Sequence, residues 1–133
     1  MNSIFRISEK NHAGMILMSI LAQKKDIGYI SLNDIAQEML LSQGYLEEIS
    51  TALKKAKLIK GKKGRSGGYK LTKNPQDITA EDILVALEGP ILSMQCDSEH
   101  CPVSKNCSSK NLWAILQKDL IHSLKTITLN QLI

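Results

Sequence analysis

Aromatic residues and prolines are scarce in this chain: its 133 residues include one Phe, one Trp, three Tyr and three Pro. A domain of this length still buries a core, which is therefore predicted to be aliphatic. The longest apolar run, AGMILMSILA, is about half of what a bilayer span requires. Residues 1–10 also lack the apolar segment of a signal peptide. A cytoplasmic protein with no membrane partner is expected.

Cysteine is equally scarce, and all three residues stand in one stretch, CDSEHCPVSKNC, at positions 96, 101 and 107. Three thiols cannot all pair in disulfides, and in a reducing cytosol a tight cysteine cluster is first interpreted as metal-binding or redox-active. Soft thiolates select zinc, copper(I) or iron–sulfur clusters. Spacing alone leaves open an iron–sulfur centre, a zinc site completed by a histidine and unliganded reactive thiols.

Acidic residues are absent from residues 54–73, KKAKLIKGKKGRSGGYKLTK, in which nine side chains are Lys or Arg. The rest of the chain is acidic overall, and one basic segment on such a protein is typical of a polyanion-binding surface. A solvated run of charges is the alternative. The glycine spacing matches neither the P-loop nor the dinucleotide fingerprint. Because no C-x-x-C pair or catalytic triad is recognisable either, the chain is not expected to be an enzyme.

The pattern around the basic segment predicts a mainly α chain. Ser31 and Ser42 are candidate N-caps for two short amphipathic helices, which form a helix-turn-helix candidate. The runs LI and YKL on either side of the glycines predict a two-stranded wing. Further helices are predicted after Ser8 and Thr79.

The C-terminal segment SSKNLWAILQKDLIHSLKTITLNQLI is predicted to be one long amphipathic helix, because its apolar residues recur at three- and four-residue steps. Little chain remains to cover this apolar stripe, so a second copy is expected to pack on it in a homodimer. Packing against the first helix is the alternative. The predicted organisation is a winged helix-turn-helix domain at 1–90, a cysteine loop at 91–107, and a dimerisation helix with a C-terminal tail at 108–133.

Several stretches together resemble the Rrf-two family of winged helix-turn-helix regulators, which includes IscR-type and NsrR-type iron–sulfur sensors. These stretches are FRISEKNHAG, YLEEISTALKKAKLIKGKKGRSGGYKL, DITAEDILVALEG and the cysteine loop leading into NLW and ITLNQL. Within the family, FRIS and LEGPI are most similar to regulators of SUF-type cluster assembly. The resemblance implies a dimer that binds double-stranded operator DNA and responds to the state of a 2Fe–2S or 4Fe–4S cluster. Its cysteine ligands would be Cys96, Cys101 and Cys107.

The resemblance also bears on the fourth ligand of that cluster. IscR-type sensors use a histidine three residues after the last cysteine, where this chain has Lys110, a cation without a lone pair. NsrR-type sensors use a carboxylate near the start of the first helix of the other subunit, and the matching position here is His12. His12 of the partner subunit is therefore the expected fourth ligand, with Glu9 as the substitute and a surface role as the alternative for His12. His100 is disfavoured because ligation from within the loop would be strained.

The start of the second helix of the pair and the wing supply the predicted DNA contacts. Gln43 is expected to contact adenine, and Ser42 and Tyr45 are expected to contact phosphates or bases. Glu47 or Glu48 is expected to accept from cytosine, with a solvent-facing position as the alternative. The wing cations are expected to reach the backbone or the minor groove. The full predicted set is Ser42, Gln43, Gly44, Tyr45, Glu47, Lys62, Lys63 and Arg65.

Together these observations predict an iron–sulfur-dependent transcriptional regulator, expected to be a repressor that senses cluster supply or oxidative or nitrosative stress. The main alternative is a cluster-free regulator of the same fold that senses through its thiols or binds zinc. A thiol-redox enzyme and a protein-interaction module built on the Leu-rich helix are the remaining classes. Salt-dependent binding to duplex DNA would separate the regulators from these two.

Overall fold

The computed structural model describes residues 3–93, 96 and 99–133, so residues 94, 95, 97 and 98 of the predicted cysteine loop lie outside the described residues. The helices are α1 (Glu9–Gln23), α2 (Leu32–Met39), α3 (Gln43–Lys55), α4 (Ala80–Glu88) and α5 (Ser108–Thr126). The strands are β1 (Ile59–Lys62) and β2 (Gly68–Leu71), and short 3₁₀ turns occur at Pro75–Asp77, Ser104–Asn106 and Leu129–Leu132. The mainly α, winged helix-turn-helix prediction is confirmed.

The predicted N-caps start the helices of the winged-helix part. The hydroxyls of Ser8, Ser31 and Ser42 each accept a hydrogen bond from the backbone N–H three residues later, which satisfies one of the free donors at the helix start. At the start of α4, the caps of Thr79 and Asp82 are reciprocal, with both bonds of the capping box present. These local bonds place α2 and α3 next to each other across a three-residue turn.

The wing is an antiparallel hairpin in which Ile59 pairs with Leu71 and Lys62 pairs with Gly68. A bridge between Ile30 and Tyr69 extends this sheet on the far side of β2. Gly68 has a φ of 142°, and a Cβ at this position would overlap the backbone of Ile30. The close approach of the two backbones therefore requires glycine.

The core is aliphatic, as predicted, and lies between α1, α2, α3, α4 and the wing sheet. Leu17 of α1, Ile35 of α2, Leu53 of α3 and Ile83 of α4 have no exposed surface. A Cβ on Gly14 would overlap Leu87, so α1 and α4 cross closely at this glycine. The helix-turn-helix is thus fixed against a core that one chain completes by itself.

The end of α5 differs from the prediction of a helix that continues to the C-terminus. The helix stops at Thr126, and the tail turns back onto the winged-helix part. The Ile127 carbonyl accepts from the Ala80 N–H at 2.8 Å, the Leu129 N–H donates to the Ile78 carbonyl at 2.8 Å, and the Leu129 side chain is fully buried. The tail therefore belongs to the core of the winged-helix part.

No residue of α5 itself is buried, and the side chains of Leu112 and Ile115 are 54% and 62% exposed. Within residues 3–93, 96 and 99–133, no helix has the length and apolar character needed to cross a bilayer.

Candidate nucleic-acid interface and cysteine loop

The N-terminal end of α3 presents the predicted reading residues. Gln43, Gly44 and Glu47 are exposed there, where the helix dipole and free N–H groups favour a phosphate. Ser42 is also exposed, but its hydroxyl oxygen accepts from the Tyr45 N–H at 3.2 Å, so its first role in the structure is to cap the helix. The hydroxyl hydrogen of Ser42 is still available to donate to a DNA acceptor.

Tyr45 has different surroundings from its neighbours in the predicted set. Its side chain is half-buried and lines a cavity of about 610 Å³ together with Glu9, His12, Met39 and Leu41. Desolvation raises the pKa of the Tyr45 phenol, and the negative charges of Glu9, Glu48 and Glu88 raise it further. The cavity places this ring between α1 and the start of α3.

The wing divides its three predicted cations into two groups. Lys63 and Arg65 lie in the exposed loop between the strands, at the tip of the hairpin. Lys62 is the last residue of β1, and its Nζ lies 5.7 Å from the centre of the Tyr29 ring. Lys70 of β2 approaches the same ring, at 4.8 Å. The pattern of charges in the sequence did not reveal this pairing with Tyr29.

The cysteine loop leads directly into α5. Cys107 is the N-cap of this helix, and its Sγ accepts a hydrogen bond from the Lys110 N–H at 3.4 Å. Cys101 is half-buried like Cys107, and Cys96 is exposed. His12 is exposed on α1, two residues from Gly14. Among the described residues, no group of three or more His, Cys, Asp or Glu side chains surrounds a common point where a metal would bind.

The donor chemistry of the loop nevertheless fits an iron–sulfur cluster. Three thiols within one short loop are soft donors of the kind that hold such clusters, and the N–H···S bond at Cys107 is of the type that tunes cluster thiolates. A single chain supplies only three cysteines, so a complete four-ligand site needs one more donor.

Residues that were not predicted as functional also lie near α5. The N-terminal segment before Ser8 exposes Ile4 and Ile7 at 88% and 79%. Phe5 in the same segment packs edge-to-face on Trp113 of α5, with ring centres 6.4 Å apart. The apolar residues of the segment SIFRIS were the only sequence signal for this segment. Its contact with α5 became visible only in the tertiary structure.

Comparison with known proteins confirms the family resemblance. Residues 7–133 match the model of the Rrf2 family, described as an iron-dependent transcriptional regulator. The chain is 36% identical over 127 residues to the HTH-type transcriptional regulator CymR of Bacillus subtilis strain 168, covering 96% of this chain and 88% of CymR. It is 28% identical over 129 residues to IscR of Pectobacterium atrosepticum, covering 96% and 79%.

Solved structures agree with these relatives. The structure of CymR, described as the global cysteine regulator of B. subtilis, superposes with a TM-score of 0.80 at 36% identity and covers 97% of this chain and 96% of that one. The IscR of T. potens gives a TM-score of 0.77 at 34% identity, covering 97% and 86%. Since the matched proteins are regulators, the prediction that this chain is not an enzyme is confirmed.

Proposed function

The chain belongs to the Rrf2 (Rrf-two) family of transcriptional regulators, and we propose that within it this protein is a homodimeric repressor whose operator affinity depends on an iron–sulfur cluster. The cysteine loop supports this most directly, since it holds three thiols within twelve residues and its last cysteine, Cys107, caps α5, a helix with no buried residue. The family description as iron-dependent supports it further. Cluster supply or oxidative or nitrosative stress is the proposed signal.

The homodimer is supported by the surfaces that one chain leaves open. Along α5 no residue is buried, although Leu112 and Ile115 are apolar and more than half exposed. A groove of about 490 Å³ continues this face between α4, α5 and the N-terminal segment, where Leu116, Leu120 and Leu124 line it. A second copy would cover such a surface through the same face of its own chain.

Cys96, Cys101 and Cys107 are the proposed ligands from one chain, and His12 of the partner subunit is the proposed fourth. A neutral imidazole is an accepted ligand in some iron–sulfur centres, whereas Lys110 has no free electron pair at neutral pH. When bound, the cluster supplies a redox-active group.

The cavity beside α1 links His12 to α3, the helix proposed to contact DNA. His12 lines it on one side, and Met39 of α2, Leu41 of the α2–α3 turn and Tyr45 of α3 line it on the other. A bond between His12 and the cluster would therefore act on α1, which shares a packed core with α2 and α3. We expect a shift of α1 to change how the start of α3 is presented to DNA, since packed interfaces switch between discrete arrangements.

The test is anaerobic reconstitution of wild type, Cys107→Ser, His12→Ala and His122→Ala, followed by visible spectra and counts of bound iron and sulfide. Serine keeps an N-cap at position 107, so Cys107→Ser removes the thiolate and spares the helix. We expect matched iron and sulfide in wild type and in His122→Ala, an exposed control on α5. Little or labile cluster is expected in the other two variants.

The same samples test the regulatory half of the proposal when operator binding is measured with and without the cluster. Equal affinities would contradict cluster control. A cluster unaffected by His12→Ala would keep the sensor and move the fourth ligand to Glu9, His100 or a small molecule.

The second candidate is a cluster-free regulator that senses through its thiols or binds zinc. It is supported by the likeness to CymR, described as a cysteine regulator, and by the lack of a gathered metal-ligand group in the described part of the chain. A wild-type protein that carries zinc or no metal after anaerobic reconstitution would favour it over the cluster.

A further inference from the structure

Lysines that are far apart in the sequence lie together on the outer face of the wing. Because side chains alternate along a strand, Ile59 and its partner Leu71 point to the core, and Lys60 and its partner Lys70 point the other way. Lys62, two residues along β1, shares the face of Lys60. Burial agrees with this division, since Ile59 is 2% exposed and both lysines of β1 are exposed.

Tyr29 organises this outer face. It precedes Ile30, which bridges to Tyr69 on the core side of the sheet, so the Tyr29 ring falls on the side of the lysines. Lys70 Nζ lies 4.8 Å and Lys62 Nζ 5.7 Å from the centre of that ring, within the range of a cation–π interaction. One aromatic ring thus holds two like charges near each other.

The basic face continues to the base of the wing as a cleft of about 560 Å³. Lys25, Lys60, Lys70 and Lys73 line it, together with the carboxylates of Asp26 and Asp77. The lysine–carboxylate ion pairs found among the described residues are those of Lys24 with Glu38 and of Lys125 with Glu81. The lysines of the cleft and Lys62 are therefore not neutralised by close carboxylates of the described chain, and together they outnumber the two acids beside them.

We propose that this outer wing face binds the phosphate backbone of duplex DNA that flanks the segment contacted by α3 and the wing tip. The face is defined as Lys25, Tyr29, Lys60, Lys62, Lys70 and Lys73. It adjoins the exposed tip that carries Lys63 and Arg65, so duplex running past the tip meets it next. The inference rests on DNA binding by this regulator and is independent of the cluster.

Duplex DNA fits this face better than a single small phosphate does. Alternate residues of a strand stand about 7 Å apart, and the lysines extend from the tip of the hairpin to its base. Each DNA strand offers a phosphate about every 3.4 Å along the helix axis, which is a repeating partner for a row of cations. Such contacts position a protein without reading bases.

The test compares two triple variants with the same change in charge. Lys60→Gln/Lys70→Gln/Lys73→Gln removes cations of the outer wing face. Lys110→Gln/Lys118→Gln/Lys125→Gln, the control, removes three exposed lysines of α5, outside the basic segment. Affinity for a labelled duplex of arbitrary sequence is measured over a range of NaCl concentrations, with thermal melting to verify folding.

We expect the wing variant to lower the slope of log affinity against log salt by about 2 to 3, since each lost phosphate contact removes about 0.9. The control should retain the wild-type slope. Equal slopes in all three proteins, or equal losses in both variants, would overturn the proposal. If the wing variant melts at a lower temperature than wild type, the double variant Lys25→Gln/Lys73→Gln replaces it. Both of these lysines lie outside the strands, and their loss should lower the salt slope by about 2.

A competition arm identifies the source of the phosphate. Inorganic triphosphate that binds wild type but not the wing variant, together with an unchanged DNA slope, would mean a small-anion site and would reject duplex DNA. Both cluster-loaded and apo protein are used. The slope difference should be the same in both forms, because this face acts independently of the cluster; cluster control is tested separately by operator affinity.

Tyr29 is a positioning residue in this scheme, and its substitution gives a different signature. Tyr29→Leu removes the ring but no cation, so affinity for duplex should fall severalfold while the salt slope stays near that of wild type. Tyr29→Phe keeps the ring face and should bind like wild type. Equal affinity of the Leu and Phe variants would remove Tyr29 from the face.

Discussion

The winged-helix part of the chain and the α5 region are built in opposite ways. In the first, side chains from α1 to α4 reach complete burial, and side-chain caps start each of its helices. In the second, a 19-residue helix has no buried residue. Helices draw most of their stability from packing, so the first region is complete in one chain and the second is not. The cysteines lie with the incomplete region.

Several contacts tie the incomplete region to the complete one, among them an ion pair of Lys125 with Glu81 of α4. Near its start, α5 packs Trp113 against Phe5. Beyond its end, the tail buries Leu129 in the winged-helix core. In the proposed dimer, a displacement of α5 would therefore reach the winged-helix part through these contacts.

The largest expected effect comes from matched leucine deletions in the two regions. Leu53→Ala in α3 removes a fully buried side chain and should lower the free energy of unfolding by about 2 to 5 kcal/mol, through lost transfer energy and a cavity. Leu112→Ala in α5 removes a side chain that is 54% exposed and should cost about 0.5 kcal/mol or less in a monomer. Urea unfolding in the monomeric Ile115→Glu background measures both losses of stability. Similar losses at the two positions would contradict the distinction between the regions.

The second prediction tests what covers α5. Ile115→Glu places a charge on a side chain that is 62% exposed in one chain, so the fold should persist. In a dimer the same charge would be buried without a partner, which is strongly unfavourable. Sedimentation should therefore show a wild-type dimer and a monomeric variant, with equal helical circular dichroism. Lys118→Glu, an exposed change on the same helix, is the control and should remain dimeric. A monomeric wild type would reject the homodimer.

Local patterns in the sequence were enough to predict the winged-helix part. A hydroxyl that accepts from the N–H three residues later is a short-range interaction, so Ser8, Ser31, Ser42 and Thr79 were identified without any tertiary information. The aliphatic core followed from composition in the same way. Elements that depend only on neighbours in the chain are thus predictable from the chain.

Long-range contacts explain what the sequence did not reveal. Leucines and isoleucines continue at helical spacing beyond Thr126, but the bonds of Ile127 and Leu129 to Ala80 and Ile78 end the helix there. The ring of Tyr29 between Lys62 and Lys70 depends on the pairing of three segments. A ligand from a second subunit has no signature in the geometry of one chain, so the fourth cluster ligand stays a prediction.

The smallest expected effect concerns Tyr45, which lies where the complete region faces the cavity shared with His12. Desolvation, then the charges of Glu9, Glu48 and Glu88, raise the pKa of its phenol above 10.0. The folded state therefore keeps this proton to a higher pH than the unfolded state does. The contribution of the protonated phenol to stability is complete below about pH 10 and is lost as the pH rises through the folded pKa.

Tyr45→Phe has no such proton, so its unfolding free energy should fall less steeply than that of wild type above pH 10. Urea unfolding at neutral and alkaline pH measures the difference. Glu9→Gln removes one of the charges that raise the pKa, so the alkaline loss of stability should be smaller than in wild type. Parallel curves for wild type and Tyr45→Phe would mean that the ring is solvated and turned toward DNA, as the sequence first indicated. Diverging curves would assign Tyr45 to the packing between α1 and α3.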